Sequence, residues 1–385
     1  MAKRDYLSSL MSDLESHTEV RRFGSGWLSG FFGLLFAIAG FFMVVALRFP
    51  DWFATPELEI IKNWGGFRGL VHAILLVSYG LSLLSLLLRP RKALGLTALM
   101  IGLAAILVGG ANVQPQETRD WGIFFGLDFF VVNLLITGFM FAPLERAFPH
   151  RRAQRLFRTE WREDLFYYLV STMFVQVLGF LALAPQQFVN DHTSNWDAFR
   201  AGVASLPWIV QFVIVLVASD MAQYWFHRTF HRYPFLWGFH AVHHSAKSLD
   251  WLAGSRMHFV EIVLLRGVTS LPLLTLGFAP SVMQAYVGMV YVYASLVHAN
   301  VGGNFNRLGQ VLVVPRFHHW HHAIEHEAID KNFAIHFPWL DRLFGTHYFP
   351  DDKWPAGYGV EEQVPRGYFA QLGYPFVRRQ PPAGS

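Results

Sequence analysis

Residues 206–231 read LPWIVQFVIVLVASDMAQYWFHRTFH, an apolar run that ends in a pair of histidines. A run of about 20 apolar residues is long enough to cross the hydrocarbon core of a bilayer as a helix. The two histidines, His227 and His231, are spaced i and i+4, so both side chains lie on one face of that helix. The stretch therefore predicts a membrane-spanning helix that presents two imidazoles at the membrane surface.

The composition of the whole chain agrees with a polytopic membrane protein. Of 385 residues, 53% are hydrophobic, 16% aromatic and only 15% charged. The chain has no cysteine, which excludes disulfides, thiolate metal sites, iron–sulfur clusters and cysteine nucleophiles. The modest excess of Lys and Arg is an orientation signal in a membrane protein. We expect no nucleic-acid partner.

Apolar runs predict six spans up to His227, near 26–47, 66–88, 93–110, 121–143, 164–184 and 206–226. Basic residues are concentrated at Arg21 and Arg22, at 89–92 and at 146–158, whereas the alternate connecting segments carry few. This asymmetry predicts that the N-terminus and His227 face the cytoplasm. A further apolar stretch, 260–297, predicts two more spans or a re-entrant hairpin that starts and ends on the histidine side.

We therefore expect an all-α membrane protein, a polytopic helix bundle with a cytoplasmic helical cap that carries a histidine-rich two-metal site. Its membrane would be the bacterial inner membrane or the endoplasmic reticulum. Three parts are expected: accessory transmembrane helices at 1–115, a catalytic domain at 120–350 and a polar C-terminal tail at 351–385.

Residues 227–322 hold eleven of the chain's eighteen histidines. Besides the first pair there are two triplets, His240/His243/His244 and His318/His321/His322. Each is spaced i, i+3 and i+4, which would place its imidazoles on one helical face. Such repetition favours metal binding over chance, and eight imidazoles exceed the four to six ligands of one ion, so two ions are predicted. His298, where the hairpin returns to the surface, is a further expected ligand. The expected ligands are His227, His231, His240, His243, His244, His298, His318, His321 and His322.

Two carboxylates are expected to support these ligands. Asp220 lies two turns before His227 on the same helical face, and a buried carboxylate in a membrane helix needs a partner. We expect Asp220 and Glu261 to accept hydrogen bonds from ligand imidazoles. His319 falls off the face of its neighbours, and His258 is left open as a ligand.

Imidazole ligands alone do not choose among Fe, Zn, Cu and Ni. Zinc suits hydrolysis, whereas a site next to an apolar interior would meet unactivated C–H bonds, which need O₂ and a redox metal. Iron is therefore favoured. The alternatives are a zinc-dependent membrane hydrolase and a non-enzymatic histidine-rich metal transporter or sensor, although a transporter would carry ionisable residues across several spans at mid-membrane depth.

The order of these motifs resembles the fatty acid hydroxylase superfamily, often called the sterol desaturase family. The resemblance lies in His227-x3-His231, His240-x2-His243-His244, His318-x2-His321-His322 and the stretch 339–346, WLDRLFGT, and extends from about residue 145 to 376. It implies an integral-membrane di-iron oxidoreductase that uses O₂ to hydroxylate or desaturate a sterol, fatty acyl chain or related lipid. It also implies iron ligation by the nine histidines, with zinc possible in a purified sample. The electrons would come from a separate cytochrome b5-, ferredoxin- or flavoreductase-like donor.

Overall fold

The computed structural model describes residues 6–16, 21, 23–50, 64–115, 127–173 and 192–377, and no strand occurs among them. The chain divides into two compact units. The first comprises Met1–Met140 with Arg152–Phe157, and the second Phe141–Arg151 with Arg158–Ser385. The helices are α1 Tyr6–Leu14, α2 Trp27–Arg48, α3 Phe67–Leu88, α4 Ala93–Val108, α5 Leu127–Ala147, α6 Trp161–Met173, α7 Asp197–Ala204, α8 Trp208–Arg232, α9 Pro234–His244, α10 Phe259–Thr275, α11 Pro280–His298, α12 Pro315–His321, α13 Trp339–Leu343 and α14 Tyr368–Val377.

Four of the described helices are long and apolar enough to cross a membrane, namely α2, α3, α4 extended to Asn112, and α8. Helices α5 and α6 fall on the other two expected spans, although residues 121–126 and 174–184 of those spans lie outside the described part. The chain is thus an all-helical integral membrane protein, as its sequence predicts.

The first unit is built on close packing of α2 against α3 and α4. Ser78 Oγ donates a 2.8 Å hydrogen bond to the carbonyl of Gly33, and Ser85 Oγ a 2.8 Å bond to that of Gly26. A Cβ at Gly30 would lie 2.4 Å from Ser85 Oγ, so only glycine allows this approach. Small residues and hydroxyls let apolar helices pack at short range where the hydrophobic effect gives no preference.

In the second unit, α8 packs against α9, α10 and α11. The apolar stretch after residue 258 folds as the antiparallel hairpin α10–α11. Its turn is held where Gln211 Oε1, in the first turns of α8, accepts the backbone N–H of Ala279 at 2.9 Å. The open end of the hairpin, with Glu261 and His298, consequently lies at the histidine end of α8.

The segment after residue 350 contains more structure than the expected polar tail. Helix α14 packs against α9, and Tyr374 is only 6% exposed. Gln371 Oε1 accepts a 2.7 Å hydrogen bond from the Tyr167 hydroxyl of α6. The described part of this segment, up to Val377, thus covers the outer side of a histidine-bearing helix.

Candidate metal centre

The structure gathers the nine expected histidines into two groups whose ligand atoms lie within 4.8 Å of one another. The first group, called group A, has five imidazoles and the second, group B, has four. Group A contains His227, His231, His240, His244 and His321; group B contains His243, His298, His318 and His322.

Each triplet contributes to both groups. His240 and His244, spaced i and i+4, enter group A, while His243 of the same helix enters group B. The third motif is divided in the opposite sense, because its i and i+4 members belong to group B and His321 to group A. The sequence predicts that each triplet lies on one helical face. The structure shows that each face contributes histidines to both groups.

The Nε2 atoms converge in both groups. In group A, His240 Nε2 lies 2.9 Å from His227 Nε2 and 3.1 Å from His244 Nε2. In group B, His298 Nε2 lies 3.0 Å from His318 Nε2 and 3.3 Å from His243 Nε2.

Six of the nine rings donate their Nδ1–H outward to an oxygen, which assigns the proton to Nδ1. The acceptors are Phe333 O for His227 at 3.0 Å, Asp330 Oδ1 for His231 at 3.0 Å, Glu261 Oε1 for His240 at 2.6 Å, Arg256 O for His243 at 3.0 Å, Ala294 O for His298 at 2.7 Å and Lys331 O for His321 at 2.8 Å.

This tautomer leaves Nε2 as a bare lone pair, and lone pairs that face one another at about 3 Å repel. A cation between them removes the repulsion. The Nε2 atoms of His231 and His321 are buried with no hydrogen-bond partner, as expected of nitrogens reserved for a metal. The residues present therefore fit a pair of metal ions.

Burial also favours the neutral form of several rings in the two groups, and the neutral form is the one that binds a metal. It lowers the pKa of His321 to about 3. It holds the pKa values of four others well below their usual range, with neighbouring imidazoles adding to the effect: His243, His244, His318 and His322.

Glu261 Oε1 accepts the Nδ1–H of His240, one of the histidines predicted to bind a metal. The expected role of Asp220 was wrong. Its Oδ1 accepts the backbone N–H groups of Ile335 and His336 at 2.9 and 3.1 Å, and its Oδ2 that of Phe337 at 2.8 Å. A carboxylate is the strongest acceptor available to a turn of unpaired N–H groups, so Asp220 fixes the loop that includes Phe333 O instead of touching a ligand.

Two histidines outside the groups have structural contacts. His258 precedes α10, where its Nδ1 accepts the N–H of Val260 at 3.1 Å, and its Nε2 donates to Leu372 O at 3.0 Å. His319 Nε2 donates to the carbonyl of His298 at 3.2 Å. His258 therefore belongs to neither group, and His319 supports the backbone of a ligand.

Sequence reasoning did not identify the buried ion network behind group B. Arg256, whose carbonyl accepts from His243, is 1% exposed and pairs through Nε with Asp164 at 2.5 Å. Asp164 also pairs with Arg158, which binds Asp250 at 2.7 Å. The signal in the sequence was the set of charged residues beside apolar segments, because such charges are buried only when paired.

The 339–346 stretch holds the loop at Phe333 and Ala334, next to group A. Asp341 accepts the N–H of Phe333 at 2.7 Å and of Ala334 at 3.0 Å, and Thr346 Oγ1 donates to it at 2.7 Å. Gly345, with φ 76°, ends the short helix α13. The stretch thus ends a helix and ties down the loop that contains Phe333.

The fatty acid hydroxylase family model matches residues 212–346, which contain all nine histidines. The ornithine lipid hydroxylase OlsE of Rhizobium tropici is 28% identical over 259 residues, which cover 65% of this chain and 76% of the relative. The alkylglycerol monooxygenase of Homo sapiens is 28% identical over 193 residues, 48% of this chain and 42% of the relative. Methylsterol monooxygenase 1-3 of Arabidopsis thaliana is 25% identical over 200 residues, 48% and 63%. The chain thus spans less than two thirds of the second and third relatives. No solved structure matches it.

Proposed function

We propose that this chain is an oxidoreductase of the fatty acid hydroxylase superfamily, whose family model matches residues 212–346, and that it is an O₂-dependent di-iron enzyme that hydroxylates a membrane lipid. The observation that carries the proposal is the convergence of nine Nε2-presenting imidazoles in two adjoining groups. The relatives named above act as hydroxylases or monooxygenases, which favours hydroxylation over desaturation for this chain.

The proposed reaction favours iron over zinc. Two irons bound there would supply the redox capacity to use O₂ and to break an unactivated C–H bond, which zinc lacks. Group A would hold one ion through up to five imidazoles and group B the other through up to four. All nine ligands are neutral, so the ions keep most of their positive charge, and Glu261 and Asp330 offset part of it through His240 and His231.

The protein residues orient the imidazoles and close one side of the site. Glu261 and the backbone carbonyls fix each ring plane and tautomer through Nδ1, and the rings of Phe333 and Tyr224 close the apolar side of group A. The substrate is a lipid that approaches from the helix bundle. The distribution of basic loops favours the cytoplasm for the metal centre, and a separate redox protein on that side would deliver electrons.

Purified full-length protein tests this proposal. We expect about two irons per chain, and O₂ consumption that depends on an added ferredoxin–reductase couple. Lipids of cells with and without the gene should differ by one species that has gained the mass of an oxygen atom. Stoichiometric zinc with full turnover in the absence of iron would contradict the proposal.

A matched pair of variants separates the centre from other histidines. His243→Ala removes a group B ligand, whereas His326→Ala removes an exposed histidine outside both groups. We expect the first to lose about one of the two irons and, with it, turnover. The second should keep both irons and full turnover.

A further inference from the structure

Helix α14 buries its polar side and exposes its apolar side. Its glutamine, Gln371, is 2% exposed, whereas Phe369 and Phe376 are 78% and 65% exposed. The two phenylalanines are seven residues apart and share one helical face, with Gln371 on the opposite face. A helix that faces water is arranged in the reverse way, with its apolar face toward the core. The outer face of α14 is therefore built for an apolar surrounding.

Hydrogen bonds on the inner side fix this orientation. The amide of Gln371 donates to Glu163 of α6 and, at 2.9 Å, to the carbonyl of Pro365, and it accepts the hydroxyl of Tyr167 at 2.7 Å. Turning the phenylalanines inward would break all three bonds inside a buried region, where each lost bond is costly. The exposure of the two rings is thus a property of the fold.

The exposed face of α14 continues onto its neighbours. The ring of Phe369 contacts Phe166 of α6, itself exposed, with centroids 6.2 Å apart. On the other side Phe376 packs against Phe239 of α9 at 5.6 Å, and Phe239 against the exposed Phe235 at 5.3 Å. Helix α9 begins directly after α8, one of the helices long and apolar enough to cross a membrane. The apolar surface therefore extends to the end of a membrane helix.

The chemistry of this surface suits lipid better than a protein partner. The outward residues Phe369, Ala370, Phe376 and Val377 have no side chain that can form a hydrogen bond. A typical protein interface carries about ten hydrogen bonds and a polar rim, whereas lipid chains require none. The exposed Arg366 precedes the helix, and basic residues next to an apolar helical face attract lipid headgroups.

We propose that α14 is an interfacial helix, whose outer face inserts into the boundary between headgroups and acyl chains of the bilayer. The partner of this surface is the lipid itself. Phe239, which packs on Phe376, directly precedes His240 in α9. The anchor therefore holds the helix that serves both histidine groups at the level of the membrane surface. This inference goes beyond the proposed reaction and is independent of the metal that the centre binds.

The absence of cysteine from the chain makes a direct test simple, because a single introduced cysteine can carry one nitroxide spin label. The labelled variants are Phe369→Cys and Phe376→Cys in the full-length protein, reconstituted in nanodiscs of phosphatidylcholine and phosphatidylglycerol. Val213→Cys, half exposed on α8, gives the lipid reference, and the exposed Glu327→Cys gives the water reference. Collision of each label with O₂, which concentrates in lipid, and with a water-soluble nickel chelate measures its depth.

We expect the labels at Phe369 and Phe376 to lie about 5–10 Å into the boundary between headgroups and acyl chains. Their ratio of O₂ to nickel collisions should clearly exceed that of the label at Glu327. Nickel collisions as frequent as at Glu327 would place the face in water and overturn the inference. Few collisions with either reagent would place protein there, such as a second copy of this chain, and would overturn it too.

A second substitution tests whether the face itself holds the helix in the lipid. Phe369→Asp adds a charge at a mostly exposed position, and it should move the label at Phe376 toward water. Phe369→Leu, which keeps an apolar side chain, should leave that label at its depth. An equal thermal midpoint of both proteins shows that the fold is kept, and an unchanged depth in the Phe369→Asp protein would contradict the inference.

Discussion

At the scale of single residues, Glu261 would act on the proposed metal centre through an imidazole. Its Oε1 accepts the Nδ1–H of His240 at 2.6 Å, and the Nε2 of that ring lies 2.9 Å from His227 Nε2. A carboxylate acceptor fixes the ring and makes its other nitrogen more basic, and the loss of such partners costs about 10- to 100-fold in metal affinity or activity.

We therefore expect Glu261→Ala to weaken iron binding by about 100-fold and Glu261→Gln, whose amide oxygen still accepts the proton, by about 10-fold. Iron retention against a graded chelator measures both. The exposed Glu327→Gln serves as the control. Equal iron affinity of all three variants and the wild type would show that the hydrogen bond has no influence on the metal.

Asp220 leads to a different expectation because it touches backbone, not a ligand. Asp220→Asn replaces one carboxylate oxygen by an amide nitrogen and leaves at least one backbone N–H without an acceptor, at a cost of about 1–3 kcal/mol. We expect a lower thermal midpoint in both the metal-free and the metal-loaded protein. A direct role at the metal would instead lower iron content and leave the metal-free midpoint unchanged.

At the scale of elements, α9 serves both histidine groups, since His240 and His243 belong to different ones. His240→Ala should therefore remove mainly the ion of group A and His243→Ala mainly that of group B, each leaving about one iron per chain. The double variant should retain none. If the two residues shared one ion, the double variant would still hold an iron, and iron analysis of the three proteins decides between these outcomes.

The turn of the hairpin α10–α11 depends on glycine. Gly277 has φ 91°, and a Cβ there would lie 2.7 Å from Arg200 Cβ. Gly277→Ala should thus lower stability by about 1–3 kcal/mol. In Gly267→Ala, within α10, the new methyl meets no atom within 4 Å, and stability should rise by about 0.5–1 kcal/mol. Thermal unfolding in detergent compares them, and similar midpoints for both variants would contradict this account.

Most helices could be predicted from the sequence because apolar length and motif spacing are local properties. The ligand histidines are an example, since i and i+4 spacing makes a pair whatever surrounds it. Their partition between two groups could not be predicted, because it depends on how α9 and α12 face each other. The error at Asp220 has the same origin: its face was correct, but residues 335–337, which take up its oxygens, are 115 to 117 residues away.

At the scale of the whole molecule, all nine histidines of groups A and B belong to the second unit. Metal bound only by the folded state stabilises it, by about 2.7 kcal/mol at a hundred times the dissociation constant. Chelation should therefore increase amide hydrogen exchange in α9, α12 and the 330–337 loop and leave α2–α4 unchanged. Zinc should restore the protection without restoring turnover. Unchanged exchange in α9 and α12 after chelation would contradict a metal-binding role.

Each group combines histidines from distant parts of the chain, and this limits the order in which a cell can assemble the protein. Group A needs His227 and His321, and the carbonyl that orients His227 lies 106 residues later, at Phe333. A nascent chain that has emerged only as far as α11 holds a partial set of imidazoles for each ion and lacks that carbonyl. For the proposed metal centre we therefore expect tight metal binding only after translation has passed residue 333 and the hairpin has been inserted. In that order membrane insertion precedes metal loading, and the unfinished chain does not hold a reactive ion.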